Sequence, residues 1–406
     1  AQVGSGSRLK ASSPQPIGRA AVPRAMAPLP LARGAGLGDD WAAQKLSTLI
    51  CADGLGYWQT AVDGNYGLDT NVTSSAQRSC AVSAEWGRQC TLQTLAARLA
   101  HKQPELRASA ARALGKLARP GDSVAVDALA TALSDSDAEV CLDASQALGL
   151  LAEQGDVTAL AALEHAQGGN SDPVVRGAAV SELGRLCAPG DSATLAALSR
   201  AADDASALVR ESAARALPCA APPGDAGAIS AASRLLGDGD AGVQRAAVDA
   251  LESLAGERFE HCEAVIAPVA SIAEYRDVPS REAALEVLAR VAPQNHGAAV
   301  GAALCCLEHR EPRVRLAAVS CLGRLAHAGG LVANAALAER LHGDDSPSIR
   351  LTALEVLLRL AGQADAVALA AVVACRDHPD QMVCSTAKGN LGEALDSIAH
   401  VARAAA

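Results

Sequence analysis

Three neighbouring carboxylate–imidazole pairs, Glu164-His165, Glu260-His261 and Glu308-His309, are the groups in this 406-residue chain best suited to hold a transition metal or pass a proton. Such chemistry needs the side chains to converge on one point, as two imidazoles do when they recur at one helical turn's spacing. Here the histidines fall 96 and 48 residues apart and share no position in the pattern described below, so they read as surface residues. The twelve cysteines stand at 51, 80, 90, 141, 187, 219, 262, 305, 306, 321, 375 and 384, with no Cys-x-x-Cys pair. Single cysteines on apolar faces behave as small buried hydrophobes, which fits a reducing compartment; Cys80 and Cys90 are the two left open to pairing. No glycine-rich phosphate loop, His-Glu-x-x-His or Gly-x-Ser-x-Gly sequence is present. We assign no catalytic, metal-ligating or cofactor-binding residue, and expect no enzyme.

The remaining chemistry is recognition. Thirty-five Lys and Arg against 45 Asp and Glu give a net charge of −10, the wrong sign for a nucleic-acid binder. Half of the residues are apolar, yet only seven are aromatic: Trp41, Tyr57, Trp58, Tyr66, Trp86, Phe259 and Tyr275. Few rings leave no base-stacking platform. Trp and Tyr are efficient anchors at protein interfaces, so these seven are candidate partner-binding residues. Arg19, Arg24 and Arg33 join them, because residues 1–38 carry five bases and no acid. No apolar run reaches the roughly 18 to 20 residues of a membrane helix, and Ala366 to Cys375 stops at Arg376. Peripheral membrane association is left open.

The elements that must position these residues follow from an internal repeat. The pattern acid-x-x-V-R-x-x-A-x-x-x-L recurs nine times, anchored at Leu106, Val140, Val175, Val209, Val243, Ser280, Val314, Ile349 and Val383. The spacings are 34 or 35 except for one of 37, before Ser280. Four residues after each anchor stands alanine and eight after stands leucine, in all nine copies. Positions 0, +4 and +8 share one face of a 3.6-residue helix, so each copy supplies an inward stripe with a small residue at the crossing. Asp172-Pro173 and Glu311-Pro312 read as an N-cap with proline in the first turn. Gly121-Asp122, Gly155-Asp156, Gly190-Asp191 and Gly224-Asp225 read as a left-handed C-cap followed by the cap of the next helix. The unit is a helix, a turn, a second helix and a short loop, with almost no sheet.

Asp172-Pro173-Val174-Val175-Arg176 with Ala179, Leu183 and Gly184, and Arg313-Val314-Arg315 with Ala318, Leu322 and Gly323, resemble the second helix of HEAT repeats. The resemblance is closest to the short HEAT-like repeats of the phycobilisome-lyase type and covers about residues 91–395. It implies an all-α, right-handed α-solenoid of about nine helical pairs. It also implies that the arginines after the anchor (Arg107, Arg176, Arg210, Arg281, Arg315 and Arg350) form a structural ladder with the preceding acids of neighbouring repeats. Second helices would line the inner surface, with Glu286 and Arg290, Glu355 and Arg359, and Arg112 and Lys116 facing solvent. Deoxyhypusine hydroxylase, a HEAT-repeat enzyme, uses His-Glu pairs that this chain lacks. Bilin lyases share the repeat type and give the alternative function, chromophore handling, with no catalytic residue to match here.

The chain thus divides into a basic Ala/Pro/Arg-rich arm over 1–38, an irregular aromatic segment over 39–90, the array over 91–395, and a C-terminal helix end over 396–406. The copy at Ser280 is the irregular one: its spacing of 37 suggests a kink or an inserted loop near Phe259 and Tyr275. Asn71-Val72-Thr73 matches a glycosylation sequon, which means little alone. The expected function is a non-enzymatic scaffold, accessory subunit or assembly factor that binds protein subunits of a larger complex. The acid-free arm and the missing initial Met suggest an organelle, with a plastid favoured and a cytoplasmic home as the alternative.

Overall fold

Residues 87–390 and 392, apart from 328, 329, 362 and 364, are described by a computed structural model. The chain separates into two compact units, Ala1–Cys80 and Ala81–Ala406, and the description concerns the second. Trp41, Tyr57, Trp58, Tyr66, Trp86, Arg19, Arg24 and Arg33 lie outside the described residues, as do the arm and residues 396–406.

Every regular element among the described residues is a helix. In chain order they are α1 over 87–98, α2 Pro104–Leu117, α3 Ser123–Ala132, α4 Ala138–Leu151, α5 Val157–Gly169, α6 Pro173–Leu186, α7 Ser192–Ala201, α8 Ala207–Ala220, α9 Ala226–Leu235, α10 Ala241–Ala255, α11 Phe259–Tyr275, α12 Val278–Val291, α13 Gly297–Leu307, α14 Pro312–Leu325, α15 Leu331–Gly343, α16 Pro347–Ala361, α17 Ala366–Ala374 and α18 over 381–390. Each even-numbered helix holds one anchor, and each pairs with the odd-numbered helix before it. The second helices pack more extensively on one another than the first helices do, which places the second helices on the inner layer of an α-solenoid.

The inward stripe forms the core. Ala144, Ala179, Ala213, Ala247, Ala284, Ala318, Ala353 and Ala387 are fully buried, and so are the leucines from Leu114 to Leu357; Leu391 lies outside the described residues. Burying a leucine is worth about 1.5–3 kcal/mol, so one stripe residue per repeat already sets the scale of each interface. The closest approach between consecutive second helices falls nine residues after the anchor. A Cβ on Gly184 would stand 2.5 Å from the Cβ of Ala216 and 2.9 Å from its Cα, and one on Gly115 2.9 Å from the Cβ of Ala147.

Aspartate caps many of the helix starts. Asp122, Asp137, Asp156, Asp172, Asp191, Asp225, Asp240 and Asp365 accept backbone N–H groups of their first turns. Glu311 and Asp277 occupy the same position without a side-chain cap; the Asp277 carboxylate accepts the Ser280 hydroxyl instead. The Gly-Asp turns differ from expectation. The helices end one turn earlier, in extended C-caps such as Ala118 and Ala152. The left-handed Gly121, Gly155, Gly190 and Gly224, with φ between 80° and 86°, donate their N–H groups to Leu151, Leu186, Ala220 and Leu254, carbonyls at the ends of the following second helices. Asn295, at φ 60°, does the same for Leu325. The glycine therefore satisfies an orphan carbonyl one helical pair ahead rather than closing its own helix.

The copy at Ser280 also differs. Its additional residues lengthen α11 to 17 residues, against 10 in α9, and insert no loop. Of the two cysteines left open to pairing, Cys90 is a free thiol and Cys80 lies outside the described residues. Cys141, Cys187, Cys306, Cys321 and Cys375 are buried, while Cys219 and Cys305 are exposed.

Candidate partner-binding surface

The arginine ladder takes its charge out of circulation. Arg107 reaches Asp135 through two bonds of 2.6 Å. Arg176 reaches Asp204 at 2.9 and 2.8 Å, Arg210 reaches Asp238 at 2.6 and 2.8 Å, and Arg315 reaches Asp344 at 2.8 and 2.9 Å. Arg350 pairs with Asp380. In the first four the acid stands five residues before the next anchor, in the loop, whereas three before was expected; only Asp380 stands at three. The same acid accepts a backbone N–H two residues on, as Asp204 does from Ser206. The second arginine nitrogen, Nη1, donates to carbonyls five and six residues upstream, for example Asp204 and Ala205 from Arg210. Bidentate, half-buried pairs of this kind are rigid. The guanidinium beside it holds the Asp204 carboxyl below the usual carboxylate range, and Arg210 does the same to Asp238.

Where the arginine is missing, its acid is missing too. Cys141 faces a repeat with Asn170 at the acid's position, and its thiol donates to the Asp135 carbonyl. Gln244 keeps only the carbonyl bond, to Asp238. Arg281 has no carboxylate: His309 occupies that position, and the guanidinium bonds the carbonyls of Ala273 and Arg276. His309 and His261 are half-buried, contrary to expectation, and only His165 is exposed. His309 is held because its Nδ1 accepts the Glu311 N–H, which substitutes for the missing acid in the turn.

What the ladder leaves free is the inner face. The second helices α10, α12 and α14 line a groove of about 750 Å³. Its middle is Arg290, which bonds Asp249 at 2.9 Å, Glu252 at 3.1 Å and its helical neighbour Glu286. Arg313 pairs with Glu282 at 3.2 Å. Arg245 and Arg324 flank the groove on α10 and α14, both exposed and free of ion pairs among the described residues, beside the half-buried Leu316 and Ala317. Apart from Glu252, nine after its anchor, and Arg313, one before, these residues stand two, three, six and ten places after their anchors. That register was legible in the Glu286–Arg290 pair, but the sequence gives no reason to single out Arg245 or Arg324. The Glu355–Arg359 pair does not form, since Arg359 bonds the Gly323 carbonyl, and Arg112 bonds Asp143 and Glu139 of the next repeat.

Phe259 and Tyr275 do not meet at this groove. They are the first and last residues of α11, about 24 Å apart at 1.5 Å per residue, and are 64% and 79% exposed. Phe259 lies 6.5 Å from the His296 ring, centroid to centroid. Among the described residues no group of three or more His, Cys, Asp or Glu is placed to hold a metal ion, and no helix is long and apolar enough to cross a membrane.

With that geometry in view, family models for HEAT repeats match residues 69–149 and 143–218, and a further single HEAT repeat matches residues 300–328. The chain contains HEAT repeats. Among solved structures it is similar to that of Kap121p bound to Pho4p, with a TM-score of 0.54 at 14% identity, over 75% of this chain and 38% of that one. An engineered protein matches at 19% identity with a TM-score of 0.34, over 75% of this chain and 98% of that one. The likeness to the Kap121p structure is one of fold alone. No curated protein matches the chain.

Proposed function

We propose that this HEAT-repeat chain is a non-enzymatic scaffold or assembly subunit that holds a protein partner on the inner face of its second helices. The observation that carries the reading is the groove over α10, α12 and α14, where Arg245 and Arg324 stand unpaired beside half-buried apolar residues while the ladder arginines are committed internally. A groove with charged walls and an apolar floor suits an extended or helical segment better than a small molecule. HEAT solenoids commonly serve as protein-interaction scaffolds, which supports the same reading. The phycobilisome-lyase subtype rests on the second-helix signature at Asp172 and Arg313 and adds no chemistry to the proposal. The acid-free arm supports an organellar home, a plastid first, and imaging of the tagged full chain tests that.

Affinity capture of the full chain with mass spectrometry, repeated with Arg245→Glu and Arg324→Glu together and with residues 1–90 removed, tests the assignment. Recovery of one partner that the double substitution abolishes is the expected result. If recovery survives both changes, the surface is wrong. Stoichiometric bound metal or bilin with no protein partner would replace the scaffold by an enzyme.

A further inference from the structure

Two devices tie consecutive repeats together, and one junction lacks both. The first is the arginine–aspartate pair. The second is the left-handed residue whose N–H reaches the end of the following second helix. Between the first and second, third and fourth, and fourth and fifth repeats both are present, as in Arg210–Asp238 with Gly224–Leu254. The second and third keep the backbone bond from Gly155, and the sixth and seventh keep the one from Asn295. The last two junctions keep their ion pairs, Arg315–Asp344 and Arg350–Asp380. Between the fifth and sixth repeats Gln244 reaches no carboxylate. There Gly256 turns back onto Ser253 of its own helix, and no residue of that linker bonds the end of α12.

The cause is local. Repeat six spends its additional residues on α11, which continues to Tyr275, through the stretch where other repeats place the acidic turn. The loop that would offer a carboxylate to residue 244 is therefore helix. Consistently, α10 and α12 pack less extensively on each other than α6 and α8 or α8 and α10 do. What spans α10 and α12 on the inner face is Arg290, bonded to Asp249 and Glu252, whose side chains are 62% and 51% exposed. Exposed ion pairs are screened by salt and hold geometry weakly.

We infer that the array is two stiff blocks, repeats one to five and six to nine, joined by a hinge between α10 and α12 that the exposed Arg290 ion pairs hold closed. The hinge lies under the groove, so its angle sets the groove's width. The inference does not depend on what the groove binds.

Distance distributions between paired spin labels on the full chain, attached through unnatural amino acids, test it. One pair, at Ser230 and Ala335, spans the fifth-to-eighth repeats; a control pair, at Asp127 and Ser230, spans the second to fifth. The cross-hinge distribution should be about twofold wider than the control, and should widen further between about 0.02 and 1 M salt as the Debye length shrinks. Arg290→Ala should widen the cross-hinge distribution alone. Arg210→Ala, which breaks a ladder pair, should widen the control. Equal widths in the unmodified chain, no response to Arg290→Ala, or no response of the control to Arg210→Ala would each overturn the inference, provided that helical circular dichroism is unchanged.

Discussion

Replacing Gly184 by alanine tests whether glycine is required where second helices cross. The new Cβ would stand 2.5 Å from the Ala216 Cβ, 2.9 Å from its Cα and 3.0 Å from its carbonyl oxygen. Two of those atoms are backbone of α8, so no rotamer change relieves the conflict, and α6 and α8 must separate. An added methyl in a packed interior costs roughly 1–3 kcal/mol. Alanine regains about 1 kcal/mol of helix propensity over glycine. With backbone in the way the upper part of the range applies, giving a net loss of about 1–2 kcal/mol. Gly168 in α5 is the control, because a Cβ there meets nothing within 4 Å. Gly168→Ala should stabilise by about 0.5–1 kcal/mol. Urea unfolding followed by helical circular dichroism measures both, with the slope against urea checked for constancy because repeat arrays can lose cooperativity. A Gly184→Ala chain as stable as the parent would refute the close-approach reasoning.

The ladder predicts an acid-sensitive array. Asp204 and Asp238 titrate lower in the folded chain than in the unfolded one, because Arg176 and Arg210 hydrogen-bond them. Their contribution is complete above the unfolded carboxylate value of about 4 and is lost as pH falls through the lower folded values. Melting temperature should therefore drop below about pH 4, and Arg210→Ala should flatten that limb; an unchanged acid limb would count against the ladder as a source of stability. Thiol labelling should separate the cysteines. Cys219 and Cys305 are exposed and should react first, whereas the buried Cys321, whose thiol is pushed up to about 12 by burial, should react only on unfolding. Early labelling of Cys321 by mass spectrometry would show that α14 opens locally. Asn334, fully buried in α15, donates to Asp365 at 2.9 Å. Asn334→Leu removes one donor from that carboxylate, which keeps its bond from the Ala368 N–H, and should cost about 1–3 kcal/mol in the same urea experiment.

The alanine and leucine stripe was legible because burial acts on residue type at a fixed period, and every described copy lies at the core. The glycine nine residues after the anchor was visible in Gly184 and Gly323, but its role was not. Closest approach between two second helices depends on a crossing that no single helix encodes. The Gly-Asp turns were misread for a related reason: a left-handed glycine beside a helix end normally caps that helix, and only the stacked pair ahead reveals the carbonyl it serves. The acid of the ladder was displaced by two positions because two aspartates, such as Asp135 and Asp137, compete for the role, and the N-cap takes one of them.

Repeat six shows where pattern and physics diverge. A spacing of 37 is compatible with a loop or a longer helix. The residues after Arg258 decide it, since Phe259 to Tyr275 contains no glycine and its single proline, Pro268, interrupts no helix. Once the helix wins, the rest follows. The turn disappears, Gln244 has no carboxylate to pair with, and the junction rests on exposed charges. The loss of the ladder acid and the longer helix are thus one event, read at two positions 31 residues apart. The surface with uncommitted charge lies over the junction that lacks both the ladder pair and the linker bond, so the inferred hinge would let a binding face adjust here while the tied junctions hold the rest of the array.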